Sequence, residues 1–162
     1  MELYSSSFKS PIGTIKLQSS GEHLLLASFM DDDENITEDH HPILQETSRQ
    51  LKAYFQGDLK SFDIPMGQQG TEFQLKIWDL LYKIPYGKTI SYNDLAKQYG
   101  DTKAIRAVAS ANGRNNIAII IPCHRVIGSN RSLTGYAGGL WRKQWLLNHE
   151  ARFHFGVQQL FQ

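Results

Sequence analysis

The residues best suited to chemistry surround Cys123, the only cysteine in the 162-residue chain. The sequence around it reads IIIPCHRV, so that His124 and Arg125 follow the thiol directly. Cationic neighbours lower the pKa of a thiol and favour the thiolate, which is the nucleophilic form. Because an isolated cysteine is more often a buried structural residue, these residue types alone leave both a nucleophile and an inert core cysteine open.

The segment before the thiol, from Ile117 to Ile121, is rich in β-branched residues and predicts a buried strand. Cys123 then lies at the mouth of that strand, where a rigid scaffold can present a reactive group. Neighbouring side chains of a strand point to opposite faces. Direct contact between Cys123 and His124 therefore requires a bend in the chain or a bridging water.

The N-terminal region predicts a small sheet with one helix. Turn-forming sequences, SPIG and SSG, separate three short apolar runs. The predicted strands are Tyr4 to Phe8, Thr14 to Leu17 and Leu24 to Phe29, with a further strand from Ser61 to Ile64. A helix is predicted to begin at Pro42 and to stop at Gly57, and the acidic run from Asp31 to Glu34 predicts a solvated loop.

After residue 70 the apolar pattern becomes helical. The predicted helices are one capped by Thr71 with Gln74, one capped by Ser91 with Asp94 and ended by Gly100, an alanine-rich helix from Lys103 to Ala111, and a final helix from Trp141 to Asn148. The second and third resemble a helix-turn-helix, a pattern that is weak on its own. We place the domain boundary at the polar link Gly67 to Gly70, which predicts domains 1–70 and 71–162.

The charge is distributed unevenly between these two regions. Residues 1–70 hold five Lys and Arg against eleven Asp and Glu, a balance of −6, whereas residues 71–162 hold twelve against five, a balance of +7. A basic second half favours an anionic partner such as nucleic acid, although charge pairing between the halves is an alternative. No signal-peptide pattern or long apolar run is present, so we expect a cytoplasmic protein. One cysteine excludes an internal disulfide and a Cys-rich zinc site.

Motifs in the second region, taken together, resemble the O6-alkylguanine-DNA alkyltransferase family, which includes the methylated-DNA–protein-cysteine methyltransferases. In order they read PYG (85–87), SY (91–92), RAV (106–108), ANGRN (111–115), PCHRV (122–126), GYAGG (135–139) and WLLNHE (145–150). The resemblance covers residues 71 to 150, and the N-terminal region matches mainly in its strands and helix. It implies an α/β (α+β) fold, with an N-terminal ribonuclease-H-like antiparallel sheet and helix packed on a winged-helix-like, mostly helical C-terminal domain.

The resemblance also implies a reaction. Cys123 would take the alkyl group from O6-alkylguanine in DNA, and possibly from O4-alkylthymine, and keep it, so that each molecule acts once without a cofactor or metal. His124, oriented by Glu150, would accept the thiol proton through a water, and Asn115 would brace the turn. Tyr92 would donate a hydrogen bond to the guanine ring and push against the target phosphate. The residues implied to form the base pocket are Cys123 and Val126 through their carbonyl groups, Tyr136, Ala137 through its N–H group, and Ala118.

For DNA binding, the resemblance implies that the second helix of the helix-turn-helix enters the minor groove of double-stranded DNA. The target nucleotide would flip out, and Arg106 would fill its place. The other implied DNA contacts are Tyr92, Ala107, Ser110, Ala111, Asn112, Arg114 and Arg125, on a protein expected to be a monomer. Each residue alone has an ordinary explanation as a surface or packing residue, and only their joint occurrence in the family's order favours these roles.

Two alternatives belong to other functional classes. Alkyltransferase-like lesion sensors bind damaged DNA without repairing it, but they carry tryptophan at the cysteine position, where this chain has Cys123. A cysteine hydrolase would use Cys123 and His124, but these residues are adjacent and no oxyanion-binding sequence is recognisable. The chain also departs from the family at Asn116 and Ala118, since many members have proline at the first position and some at the second.

Overall fold

A computed structural model describes residues 1–31 and 35–156 and divides the chain into two compact units. The first unit comprises Met1–Gln69 together with Asn116–Ala118, and the second comprises Gly70–Asn115 with the chain from Ile119 onward. The division falls within the polar link chosen as the boundary from the sequence. The assignment of residues 116–118 to the first unit is a feature that the sequence did not indicate. Residues 32–34 of the predicted acidic loop lie outside the described part of the chain.

The first unit contains an antiparallel sheet of three strands in the order β1-β2-β3. The elements are β1 (Tyr4–Ser10), β2 (Gly13–Ser19), β3 (Leu24–Phe29) and a helix, α1 (Pro42–Phe55). The helix packs against β1 and β2, and buried apolar residues from both layers, such as Leu17 and Leu51, form the core. These observations confirm the three predicted strands and the helix that begins at Pro42.

The predicted strand from Ser61 to Ile64 is wrong. This segment has no ladder partner, and its backbone is held at Asp63 by the Gln50 amide of α1, which both donates and accepts at 2.9 Å. The edge of β3 instead meets the segment at Ile117, where the Ala27 N–H donates to the Asn116 carbonyl at 2.8 Å. This pairing explains why residues 116–118 belong to the first unit.

The second unit is mostly helical. Its elements are α2 (Glu72–Tyr82), β4 (Ile90–Ser91), α3 (Tyr92–Tyr99), α4 (Ile105–Gly113), β5 (Val126–Ile127) and α5 (Leu140–Phe155), with short 3-10 turns at Thr102–Ala104 and Cys123–Arg125. Both predicted capping boxes are present, and Gly100 ends α3 with a left-handed φ of 104°. The helices α2, α3 and α4 pack on one another, so that α3 and α4 form the predicted helix-turn-helix.

The predicted strand from Ile117 to Ile121 is wrong, although the segment is buried as expected. After Ile117 the chain makes a turn, and Ile119 has a left-handed φ of 70°. A second tight turn follows, in which the Cys123 N–H donates to the Ile121 carbonyl at 2.8 Å. Burial accounts for the β-branched composition without strand pairing, and the two turns place Cys123 at the start of a 3-10 turn.

Among the described residues, none of the helices combines the length and hydropathy needed to cross a bilayer.

Candidate active site

Cys123 lies at the first position of the 3-10 turn and is 7% exposed. The Asn115 amide donates to the Cys123 sulfur at 3.3 Å and to the Ile121 carbonyl at 2.9 Å. A single buried amide thus joins the end of α4, the turn before the thiol and the sulfur itself. The structure brings Asn115 to the position where a brace for this turn is required.

The pKa of the Cys123 thiol is raised, which is opposite to the expectation from its cationic neighbours in the sequence. Burial disfavours the thiolate and is the dominant cause, while the Asn115 hydrogen bond and the charge of Lys143 act in the other direction. The guanidinium of Arg125 is instead paired with Glu150. The DNA-free protein therefore favours the protonated thiol, and a reaction at this sulfur requires a base.

His124 and Glu150 form a buried pair, with 2.7 Å between His124 Nε2 and Glu150 Oε2. Burial raises the pKa of Glu150, but the charges and hydrogen bonds of His124 and Arg125 outweigh it and hold that pKa well below its usual range. An ionised carboxylate can only accept, so His124 Nε2 carries the hydrogen. Burial lowers the pKa of His124, which keeps the ring neutral with Nδ1 unprotonated.

The other ring nitrogen, His124 Nδ1, is buried and has no hydrogen-bond partner among residues 1–31 and 35–156. Buried polar atoms are normally satisfied by protein or by ordered water. An unprotonated imidazole nitrogen without a hydrogen-bond partner among the described residues can accept a proton, directly or through a water. The role of His124 as the base for Cys123 stays a prediction, and the unprotonated Nδ1 is the atom that would accept the proton.

The predicted contact of Arg125 with DNA stays a prediction, and in this structure the guanidinium is engaged within the protein. Arg125 is 5% exposed, and its Nε and Nη2 atoms donate to the two carboxylate oxygens of Glu150 at 2.8 Å and 3.0 Å. Its Nη1 atom donates to the Ile84 carbonyl at 2.6 Å. Gly87, with a left-handed φ of 77°, also directs its N–H to Glu150 Oε1 at 3.3 Å. Arg125 therefore fixes the carboxylate that orients His124.

The loop between β5 and α5, residues 128–139, carries two of the predicted pocket residues. Tyr136 has a buried hydroxyl without a partner among the described residues, and its pKa is raised well above the usual value by burial, with a further contribution from Cys123. Ala137 is exposed. Tyr92, at the start of α3, donates from its hydroxyl to the Thr134 carbonyl in this loop at 3.2 Å. Ala118 belongs to the first unit, and its predicted place in the pocket stays a prediction.

Lys143 in α5 is a residue that the sequence analysis missed. Its side chain is fully buried, and its ammonium group donates to the carbonyls of Val126 at 2.6 Å, Thr134 at 2.7 Å and Gly135 at 3.4 Å. Its spacing of seven residues from Glu150 gives two turns of helix, which places both on one face. That spacing is the one signal that could have indicated it.

The outer surface of α4 holds only part of the predicted DNA contact set. Arg106, Ala107, Ser110 and Arg114 are exposed. The predicted DNA contacts of Ala111 and Asn112 stay predictions; both side chains are buried in this structure, and Trp78 Nε1 donates to the Ala111 carbonyl at 2.8 Å. The 3.6-residue period turns these two positions toward α2.

No group of three or more His, Cys, Asp or Glu side chains in the described ranges is arranged to hold a metal ion.

Comparisons with known proteins agree with this architecture. The family model for the 6-O-methylguanine DNA methyltransferase DNA-binding domain matches residues 72–152, and the model for the ribonuclease-like domain of the same family matches residues 3–67. A methylated-DNA–protein-cysteine methyltransferase of Methanosarcina acetivorans is 49% identical over 153 residues, 91% of this chain and 98% of that protein. A constitutive enzyme of the same name from Bacillus subtilis is 40% identical over 156 residues, 91% of this chain and 94% of that protein.

Solved structures give the same result. The crystal structure of the Mycobacterium tuberculosis O6-methylguanine methyltransferase superposes with a TM-score of 0.85 at 41% identity and covers 93% of both chains. The structure of the M. tuberculosis protein in complex with DNA has a TM-score of 0.85 at 42% identity, covering 93% of this chain and 94% of that chain. The chain therefore belongs to the 6-O-methylguanine DNA methyltransferase family, whose curated members are named methylated-DNA–protein-cysteine methyltransferases.

Proposed function

We propose that this protein repairs O6-alkylguanine in DNA by moving the alkyl group to Cys123 in a single turnover. One observation carries the assignment: the only cysteine of the chain is followed directly by a histidine that is paired with a buried glutamate, and whose second ring nitrogen has no hydrogen-bond partner among the described residues and can accept a proton. The names of the relatives and the DNA complex of a solved relative support the same reaction.

The reaction is a direct displacement at carbon. The Cys123 sulfur forms a bond to the alkyl carbon while the bond from that carbon to guanine O6 breaks, and the bonding pair leaves with the base. The thiol proton passes to His124 Nδ1, through a bridging water. A proton is returned to the guanine, so the products are S-alkylcysteine and guanine. Because the thioether is stable, the alkyl group stays on the protein and no cofactor takes part.

The pocket that we propose beside the thiol takes a flipped guanine. We assign to Tyr92 a hydrogen bond to the guanine ring as it leaves, and to Tyr136 the wall of the pocket. The carbonyls of Cys123 and Val126 would accept from the guanine amino group, and the N–H of Ala137 would bond O6. The Val126 carbonyl already accepts from Lys143, but a carbonyl oxygen has two lone pairs and retains one for the base.

The exposed face of α4 is the proposed contact with DNA. Flipping a nucleotide out of the duplex costs on the order of a few kcal/mol, and we assign to Arg106 the space that the base leaves. Arg114 and Ser110 lie on the same exposed face and can contact phosphates. The small side chain of Ala107 allows the helix to approach the minor groove closely. We propose that a monomer acts on chromosomal DNA in the cytoplasm.

The test is the mass of the protein after mixing with a duplex that contains one O6-methylguanine. We expect one added methyl group per molecule on the peptide that contains Cys123, and no addition in Cys123→Ser. Tight binding of the lesion duplex by an unmodified wild-type protein would instead support the lesion-sensor alternative.

A further inference from the structure

Arg131, in the loop between β5 and α5, has a backbone conformation that residues with a Cβ atom rarely adopt. Its φ is 65°, in the left-handed region, and Ile119 is the one other non-glycine residue of the described ranges with a positive φ. Strain of this kind persists where the surrounding structure fixes it, and it is concentrated at functional sites. Because the Arg131 side chain is exposed, burial of apolar surface does not explain this conformation.

The turn from Gly128 to Ser132 determines this conformation. The Arg131 N–H donates to the Gly128 carbonyl at 2.9 Å, and the Gly128 N–H donates to the Ser132 carbonyl at 2.8 Å. The Ser132 N–H donates to the Asn130 side-chain oxygen at 3.1 Å. A Cβ atom on Gly128 would clash with the Ser132 hydroxyl, so the turn is tightly closed. It therefore holds the Arg131 backbone in one conformation at an exposed tip.

The small sheet of the second unit places this turn at the same end as the start of α3. Its strands, β4 and β5, are parallel and pair along their whole length, so their carboxyl ends lie at the same edge. Tyr92 follows β4 directly, and the 128–132 turn follows β5. After the turn the chain returns to Tyr92, whose hydroxyl donates to the Thr134 carbonyl at 3.2 Å. Arg131 therefore lies in the loop that contacts the residue assigned to the departing guanine.

The charges in this part of the chain favour a polyanion as the partner. From residue 102 to residue 149 the sequence has seven Lys and Arg residues and no Asp or Glu. Three of the seven are buried, and the exposed ones are Lys103, Arg106, Arg114 and Arg131. The first three lie in or directly beside the helix-turn-helix, so Arg131 is the exposed cation of this stretch outside it. Exposed cations without carboxylates among them attract the phosphates of nucleic acid.

We propose that Arg131 binds a backbone phosphate of the DNA duplex and gives the protein a second DNA contact outside the helix-turn-helix. The inference rests on the proposed function, in which duplex DNA is the substrate. A phosphate bound at this tip holds the loop that carries Tyr136 and Ala137 of the proposed base pocket against the duplex. Glycine would adopt the left-handed backbone without strain, but it offers no cation, which explains why the strained arginine is present.

The test compares Arg131→Gly with the wild type in binding a fluorescent duplex without a lesion, measured by anisotropy between about 0.05 and 0.3 M salt. Glycine removes the cation and accepts the left-handed backbone, so the turn should stay intact and the urea midpoint should not fall. Loss of one phosphate contact should reduce the slope of log K against log salt concentration by about 0.9 and weaken binding by roughly fivefold to tenfold at about 0.1 M salt. Arg131→Lys keeps a charge and should retain most of the slope.

Lys83→Met is the matched control, because it removes an exposed lysine of the same unit whose ammonium is paired with Asp79 at 3.2 Å. It should keep the wild-type slope, and an unchanged slope in Arg131→Gly would overturn the proposal. Transfer from the free base O6-benzylguanine, which needs no duplex, should keep its wild-type rate in Arg131→Gly. A slower rate with the free base would also overturn the proposal, since Arg131 would then act through the shape of the loop.

The DNA contact of Arg131 can be distinguished from the proposed function. Wild-type protein that takes no methyl group from an O6-methylguanine duplex, while Arg131→Gly shows the reduced slope, would refute the repair reaction and retain the contact. Methyl uptake by the wild type with an unchanged slope in Arg131→Gly would refute the contact alone.

Discussion

At the scale of single residues, the site depends on how one carboxylate is shared. Glu150 accepts from His124 and from both Nε and Nη2 of Arg125. Arg125 neutralises the carboxylate, so that His124 need not be protonated to satisfy it, and its charge also lowers the pKa of His124. The imidazole is thus fixed in one tautomer and kept in its basic form, which follows the general logic of carboxylate–histidine–nucleophile sites.

This sharing predicts the pH dependence of alkyl transfer in an Arg125→Met variant. Removing the guanidinium removes a charge that lowers the pKa of His124, so that pKa rises and the imidazole becomes protonated at higher pH. We expect the acid limb of the single-turnover rate to lie below pH 6.5 in the wild type and to move upward in Arg125→Met. The measurement is the rate of single-turnover methyl transfer between pH 5 and 9 in both proteins.

Arg125→Lys keeps a charge beside Glu150 and should leave the acid limb closer to that of the wild type, even if the rate falls. Arg49→Met removes an exposed arginine of the first unit and should have no effect. An unchanged limb in Arg125→Met, with the protein folded, would show that Arg125 only fills space.

At the scale of elements, one helix and one 3-10 turn supply most of the cluster around the thiol. Lys143 and Glu150, separated by two turns of α5, bring a cation and a carboxylate to the same face. The 3-10 turn contributes Cys123, His124 and Arg125 in consecutive positions, which a strand could not direct to one site. Asn115 lies just beyond the end of α4, and this helix presents Arg106 to solvent.

Because Arg106 lies on the outer face of α4, we expect its substitution to affect DNA binding and to leave the chemical step unchanged. We expect Arg106→Ala to slow methyl transfer from an O6-methylguanine duplex by about 10- to 100-fold, because the flipped state loses about 1–3 kcal/mol of stabilisation. Transfer from the free base O6-benzylguanine, which needs no flipping, should keep its wild-type rate. Lys97→Ala, an exposed lysine on α3, is the control, and an equal loss with both substrates would place Arg106 in the chemical step instead.

Local signals in the sequence were sufficient for the helices and the three N-terminal strands, and long-range packing decided the segments that they missed. Helix caps depend on residues within one turn of the helix end, so the sequence alone can predict them. The predicted capping boxes at Thr71 and Ser91 and the helix end at Gly100 are all present. The segment around Ile119 could not be predicted in this way, because its left-handed turn is imposed by the surrounding structure. A φ of 70° at a β-branched residue costs on the order of 1–3 kcal/mol, which no local rule favours.

The same limit applies to the site. Asn115 contacts the Cys123 sulfur, and His124 pairs with Glu150. Arg125 and Asn112 are polar and were assigned to the surface, yet both are buried, because partners distant in sequence satisfy or enclose them. Lys143 was missed for the same reason, since its partners are backbone carbonyls and no residue type marks those.

At the scale of the whole molecule, the cluster links function to stability in acid. The folded pKa of Glu150 lies below its unfolded value near 4.5, so its contribution to the free energy of unfolding is present above that pH and is lost as the pH falls toward the folded pKa. The folded pKa of His124 lies below 6.5, so the unfolded chain takes up a proton near pH 6.5 that the folded chain does not. Both effects have one sign: stability decreases on acidification.

We therefore expect the urea midpoint of the wild type to fall between pH 7 and pH 5 and more steeply below pH 4.5. Tryptophan fluorescence is a suitable signal, because Trp78, Trp141 and Trp145 all lie in the unit that holds the cluster. Glu150→Gln should be less stable at pH 7 but show a flatter dependence below pH 4.5. The exposed Glu46, whose pKa Arg49 lowers to about 2, provides the contrast: solvent screens such pairs, so Glu46→Gln should retain the wild-type slope. Equal flattening in both variants would mean that burial of the His124–Glu150–Arg125 cluster does not govern acid stability.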